Sequence, residues 1–241
     1  MPVLRYLDRF IYSDLEAIIC ITQATLDNLI SWLPETNAKT YVIENGIDYK
    51  AFLEAQSGEL HYNRPILISV ARFSEQKDQD TVIRALKTID SGTLVLVGDG
   101  ERKSKLRSLV EECGLENRVV FLGNRSDIPE LLKASDIFIQ SSHWEGFGLS
   151  TAEAMAAGLP VIASRLPGLK DVVGDAGILF TPGDEGDLAS AIIGLNDSEK
   201  RLRMGALASA RASRFDIEYT VRRYNALYNL LMLKHEQRRR A

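Results

Sequence analysis

Short apolar runs, uninterrupted rather than alternating, most constrain how this chain can fold. Ile66–Val70, Thr93–Val97, Val119–Leu122, Asp136–Gln140, Val161–Ala163 and Ile178–Phe180 read as strands. A strand with no polar face has both faces covered, the situation inside a parallel sheet. Segments of helical period separate them: Gln79–Ile89, Arg102–Cys113 ended by Gly114, Ile128–Lys133, and Leu149–Ala157 stopped by Gly158. Leu188–Leu195, Glu199–Ser213 and Asp216–Leu233 also read as helices. Alternating strands and helices predict an α/β fold with a doubly wound parallel sheet. Ligands in such sheets bind beyond the carboxyl ends of the strands.

The first part of the chain is less regular. Leu4, Leu7, Phe10 and Ile11 stand at helical spacing, and Ala17–Ile21 is a short apolar strand. Thr22 opens a helix over Gln23–Trp32 that Pro34 closes. Thr40–Ile43 follows as a strand, then Asn45-Gly46 as a turn. A formal net charge of -4 supplies no global basic field for nucleic acid. No run approaches the roughly 20 apolar residues of a membrane span. Met1–Phe10 interrupts its apolar residues with Arg5, Asp8 and Arg9, unlike a signal peptide. The expectation is a soluble, cytoplasmic protein. Cys20 and Cys113 read as two buried free thiols, too few for a disulfide framework or zinc site.

Three segments after strands carry the candidate chemistry. After Val70 come Arg72 and Lys77, with Lys77 expected to start the next helix. Two cations beside a helix start suit a diphosphate; solvated surface charges are the plainer alternative. After Val97, Gly98-Asp99-Gly100 begins like a dinucleotide fingerprint. Lys103 occupies the third glycine position, which favours a tight turn with backbone near a ligand. After Gln140, Glu145 and Glu153 bracket Gly146, Gly148 and a helix starting near Leu149. Helix amides neutralise phosphate, and carboxylates accept hydrogen bonds from hydroxyls. Ser150-Thr151-Ala152-Glu153 equally matches a capping box, so two readings of Glu153 stand. His143 ranks below the two glutamates as a candidate base. Pro167-Gly168 marks a turn beside Lys170 and Asp171.

Taken together, Glu145-Gly146-Phe147-Gly148-Leu149-Ser150-Thr151-Ala152-Glu153, Asn45-Gly46-Ile47-Asp48, Arg72 with Lys77, and Gly98-Asp99-Gly100-Glu101 resemble the retaining glycosyltransferases of GT-B fold with a Glu-x7-Glu motif, the group 1 or family 4-like enzymes. The resemblance covers about residues 14–228. It implies the C-terminal, Rossmann-like donor domain of a GT-B fold with a remnant of the N-terminal domain. The implied divisions are 1–44 (remnant of the acceptor domain and linker), 45–215 (nucleotide-sugar-binding domain) and 216–241 (crossing helix and basic tail). It implies that Arg72 and Lys77 hold the donor diphosphate and Glu145 contacts the donor sugar. Glu153 would take the ribose, and the backbone of Phe147, Gly148 and Leu149 the sugar and phosphate. Gly98, Gly123 and Asn124 would border the donor. No metal and no cofactor are implied; the nucleotide diphosphate sugar is a substrate. The implied partners are a glycan or lipid-linked acceptor and an N-terminal domain partner, in polysaccharide or glycoconjugate biosynthesis.

The last helix carries an apolar stripe of Ile217, Val221, Tyr224, Tyr228 and Leu231 that needs a partner or stays exposed. The tail Arg238-Arg239-Arg240 is either solvated or touches anionic lipid at the inner membrane face. A non-catalytic nucleotide-sugar-binding module, or one subunit of a split transferase, remains the alternative. An epimerase, phosphorylase or Rossmann oxidoreductase fits the motifs less well.

Overall fold

The computed structural model describes residues 2–240, with side chains from Leu7 onward. Met1 and the side chains of Leu4 and Arg5 lie outside that description. The chain divides into two compact units, Met1–Ile47 with Phe215–Ala241, and Asp48–Arg214.

The larger unit holds a six-stranded sheet. In chain order its elements are α3 (Tyr49–Glu54), β3 (Ile66–Val70), α4 (Gln79–Lys87), β4 (Thr93–Val97), α5 (Lys103–Cys113), β5 (Val119–Gly123), α6 (Ile128–Ala134), β6 (Ile137–Gln140), α7 (Leu149–Ala156), β7 (Val161–Ser164), α8 (Pro167–Val173), β8 (Ile178–Phe180), α9 (Glu185–Ile193) and α10 (Ser198–Ala212). The spatial order is β5-β4-β3-β6-β7-β8, every pair parallel. The sheet therefore grows outward from β3 in both directions, and the crossing between β3 and β6 opens a crevice at their carboxyl ends. Ile66, Ile68, Leu94, Val95, Ile137, Phe138, Val161 and Ile162 are completely buried. Each such side chain contributes roughly 1.5–3 kcal/mol of transfer free energy. Helices α4, α5 and α9 pack together, as do α6, α7 and α10. This is the α/β, doubly wound parallel sheet expected of the donor half of a GT-B fold.

The smaller unit contains α1 (Pro2–Ser13), β1 (Ile18–Cys20), α2 (Gln23–Trp32), β2 (Thr40–Val42) and α11 (Ile217–Arg240). β1 and β2 pair in parallel, and Thr22 caps α2 by accepting the Thr25 amide. Asn45-Gly46 is not a free turn. A Cβ at Gly46 would stand 2.6 Å from the Ile217 Cα, so glycine is there to admit the start of α11. On α11 it is Leu227 that is buried, whereas Ile217, Val221 and Tyr228 of the anticipated stripe are exposed. No helix among the described residues is long and apolar enough to cross a membrane.

Three local expectations are corrected. Helix α3 has no counterpart in the sequence expectations; Asp48 caps it through the Ala51 amide. Pro167-Gly168 does not make a turn: Pro167 is the first residue of α8, where its missing N–H costs nothing. Cys20 is buried as expected, but Cys113 is only half-buried at the end of α5.

Candidate active site

Two loops leave β3 and β4 together. The Ala71 amide donates to the Val97 carbonyl (3.0 Å), and the Phe73 amide to the Asp99 carbonyl (2.9 Å). Glycine is required for that approach: a Cβ on Gly98, at φ 129°, would lie 2.1 Å from the Ala71 oxygen, and one on Gly100 2.4 Å from the Phe73 oxygen. Gly98-x-Gly100 is thus a tight interlocking turn. Phe73 anchors it, fully buried and edge-on to Phe121 at 5.9 Å. With Phe73 turned inward, its neighbour Arg72 faces solvent, its side chain 74% exposed and 3.1 Å from Glu101.

Arg72, Gly98 and Asn124 line one open cavity of about 550 Å³, shared with Asp99 and Arg125. Gly123 does not line it; its carbonyl accepts the Gly98 amide at 2.8 Å behind the cavity wall. Lys103 hydrogen-bonds Asp99 and holds its carboxyl below the usual range. Arg125 is absent from the sequence candidates. It forks onto Asp127 at 2.8 and 2.5 Å, a local Arg-x-Asp pairing that spacing alone does not distinguish from any surface ion pair.

The β3–β6 crevice holds the other residues. Lys77 does not begin a helix. It ends the 3-10 turn Glu75–Lys77, and Asp78, at φ 47° and ψ 47°, caps α4 from the left-handed region. Lys77 pairs with Glu145, their side chains 18% and 13% exposed. Cross-bonds lace the two loops around this pair. The His143 amide donates to the Gln76 carbonyl (2.8 Å), and the Gln76 side chain donates to the Trp144 carbonyl (2.9 Å). The Ser141 hydroxyl donates to the Lys77 carbonyl at 3.0 Å. His143 Nε2 stands 3.7 Å from the Asp78 carboxylate, whose pKa burial raises.

Glu145 also lies just ahead of α7. Gly148, at φ 88°, is the N-cap of that helix. The Leu149 and Ser150 amides lie in the first turn, where no intrahelical acceptor exists. The loop backbone is gripped from behind: a Cβ on Gly168 would meet the Glu145 and Gly146 oxygens at 2.5 Å. Phe147 is buried and Leu149 exposed, so Phe147 can meet a ligand only through its backbone. The capping-box alternative for Glu153 is overturned. Gly148 is the cap, and the Ser150 hydroxyl instead donates to Gln140 at 3.0 Å. Glu153 is half-buried with no hydrogen-bond or ion-pair partner among the described residues, and burial raises its pKa. Thr151 keeps a buried hydroxyl oxygen that is also unpartnered among the described residues. Among the described residues, no group of three or more His, Cys, Asp or Glu is arranged to hold a metal ion.

Residues 53–211 match the family model of glycosyl transferases group 1. The chain is 31% identical over 240 residues to the N-acetyl-alpha-D-glucosaminyl L-malate synthase of Bacillus anthracis, covering 94% of this chain and 63% of that one. Among solved structures it is similar to Anabaena HepE in complex with UDP: TM-score 0.80, 30% identity, 89% of this chain and 64% of that chain. Sucrose-phosphate synthase from Thermosynechococcus elongatus superimposes with TM-score 0.84 at 26% identity, over 97% of this chain and 63% of that one. The chain thus spans a little under two thirds of the length of these relatives.

Proposed function

Because this chain belongs to the glycosyl transferases of group 1, we propose that it is the donor-binding half of an enzyme moving a hexose from a nucleotide diphosphate sugar to an acceptor hydroxyl with retention of anomeric configuration. The observation that carries this reading is the β3–β6 crevice, where Lys77 and Glu145 meet beside the first turn of α7. Arg72 stands at the head of the same loop.

As the bond from the sugar to the diphosphate breaks, negative charge grows on the leaving nucleotide. In this reading Arg72, Lys77 and the Leu149 and Ser150 amides meet that charge. A diphosphate reaching Lys77 competes for its ammonium, and the freed Glu145 carboxylate then accepts hydrogen bonds from the sugar hydroxyls. Glu153, lacking a protein partner among the described residues, takes the ribose hydroxyls. The backbone of Phe147, Gly148 and Leu149 follows the sugar and phosphate, and Gly98, Gly123 and Asn124 border the rest of the nucleotide. No metal and no cofactor are assigned a role. The acceptor is a glycan or a lipid-linked saccharide. Transfer would run in the cytoplasm, at the inner membrane face when the acceptor is lipid-linked.

A second reading separates donor binding from transfer. Here the chain binds a nucleotide sugar without transferring it alone and acts with an N-terminal partner. Calorimetry with UDP, GDP and ADP, run beside a transfer assay with and without that partner, separates the two. UDP comes first because HepE was solved with it. Binding with turnover supports the enzyme, and binding with turnover only after partner addition supports the split arrangement. No binding of any nucleotide would remove both.

A further inference from the structure

A second cavity, of about 300 Å³, lies at the amino ends of β6 and β7, the opposite end of the sheet from the candidate active site. The end of α6, the turn between α7 and β7, and the first turns of α10 wall it. The wall is rigid: a Cβ on Gly205 of α10 would stand 2.0 Å from the Gly158 carbonyl oxygen, so helix and turn are in direct backbone contact.

Its charges are unbalanced. Arg201 donates through Nη1 to the Leu195 and Asn196 carbonyls, both at 2.8 Å. That fixes the guanidinium plane, and Nε and Nη2 have no acceptor among the described residues. Lys133 is half-buried and has no hydrogen-bond or ion-pair partner among the described residues. Burial alone lowers its pKa, with no carboxylate opposing the shift. The carboxylate lining the cavity, Asp136, is already occupied by Arg64 and by the Ile66 amide, each at 2.6 Å. Two cations therefore face this cavity without a free counter-charge among the described residues, an arrangement that desolvation disfavours until an anion arrives.

We propose that this cleft binds a small phosphate ester. A phosphate offers enough oxygens and charge to satisfy a lysine point charge and an arginine fork together. Leu132 and Leu159 provide apolar wall for a short carbon skeleton, and Leu202 lies exposed at the rim. A cavity of about 300 Å³ has room for an ester of a few carbons.

The test is calorimetric titration of the whole chain with glycerol 3-phosphate, with glycerol as control and UDP titrated in parallel. Saturable binding is expected for the ester and not for glycerol. Lys133→Met should weaken it at least about tenfold while UDP binding is unchanged, and Lys133→Arg should restore it. Lys133 bonds nothing among the described residues, so its removal does not threaten folding as Arg201→Met would. Absence of saturable binding, or equal affinity in K133M, overturns the proposal. So does a loss of ester binding in R72A, which would move the ligand to the donor site. Failure of UDP binding in every variant would instead strike the transferase reading.

Discussion

Arg72 and Lys77 occupy one loop but two electrostatic environments. Arg72 reaches into solvent, 74% exposed, with Glu101 as a surface partner. Lys77 is enclosed in the β3–β6 crevice, locked to Glu145 by a loop-to-loop lattice. A surface pair is worth about 0–1 kcal/mol, so Arg72 is free to follow a ligand at little cost. A buried pair is costly to break because the remaining partner is left charged and unsatisfied. One loop therefore presents an adaptable cation and a preorganised one. By residue type and spacing alone the two are equivalent.

Lys77→Ala is the largest expected perturbation. Turnover should fall on the order of 10² to 10³, and stability should fall by up to ~3 kcal/mol as Glu145 loses its partner. Steady-state kinetics and urea midpoints read both; a variant as stable as wild type would remove the asymmetry. Arg72→Ala should lose about 10² in rate, with a stability change below ~1 kcal/mol. A large drop in its midpoint would show that Arg72, too, is structural.

Gly98→Ala tests the interlocked turn that holds Arg72 outward. The added Cβ meets the Ala71 oxygen at a positive φ, so a loss of about 1–3 kcal/mol is expected. Unchanged stability would mean the two loops separate easily.

Glu153→Gln is the smallest and carries a pH signature. Burial raises the Glu153 carboxyl pKa in the folded state, so the ionised group opposes folding at neutral pH. The penalty disappears as pH falls through that raised value into the ordinary carboxylate range. E153Q should therefore be somewhat more stable than wild type at pH 7, with the advantage vanishing in acid, and should bind UDP more weakly. A pH-independent difference in thermal midpoint would contradict this.

Much of the sheet is legible in the sequence itself. Ile66–Val70, Thr93–Val97 and Ile178–Phe180 lie where their apolar runs place them, because burial on both faces leaves no other pattern. Gly114 ends α5 in the left-handed conformation, a local requirement with a local signal. Helix α8 escapes such a reading because Pro-Gly signals a turn and a helix start equally well. Gly46 reads as an ordinary turn glycine because its real constraint comes from Ile217, distant in sequence.

The chain's own residues determined the α/β class and the strand ends where candidate groups fall, and they marked Arg72, Lys77, Glu145 and Glu153 as candidates, since period and residue type are local properties. Tertiary structure alone decided which of these are paired and which are free. Lys77 meets Glu145 across the sheet's switch point, Glu153 loses its supposed cap to Gly148, and Lys133 is stranded beside Arg201. Burial and partnership depend on residues far apart in sequence, and spacing along one strand cannot report them.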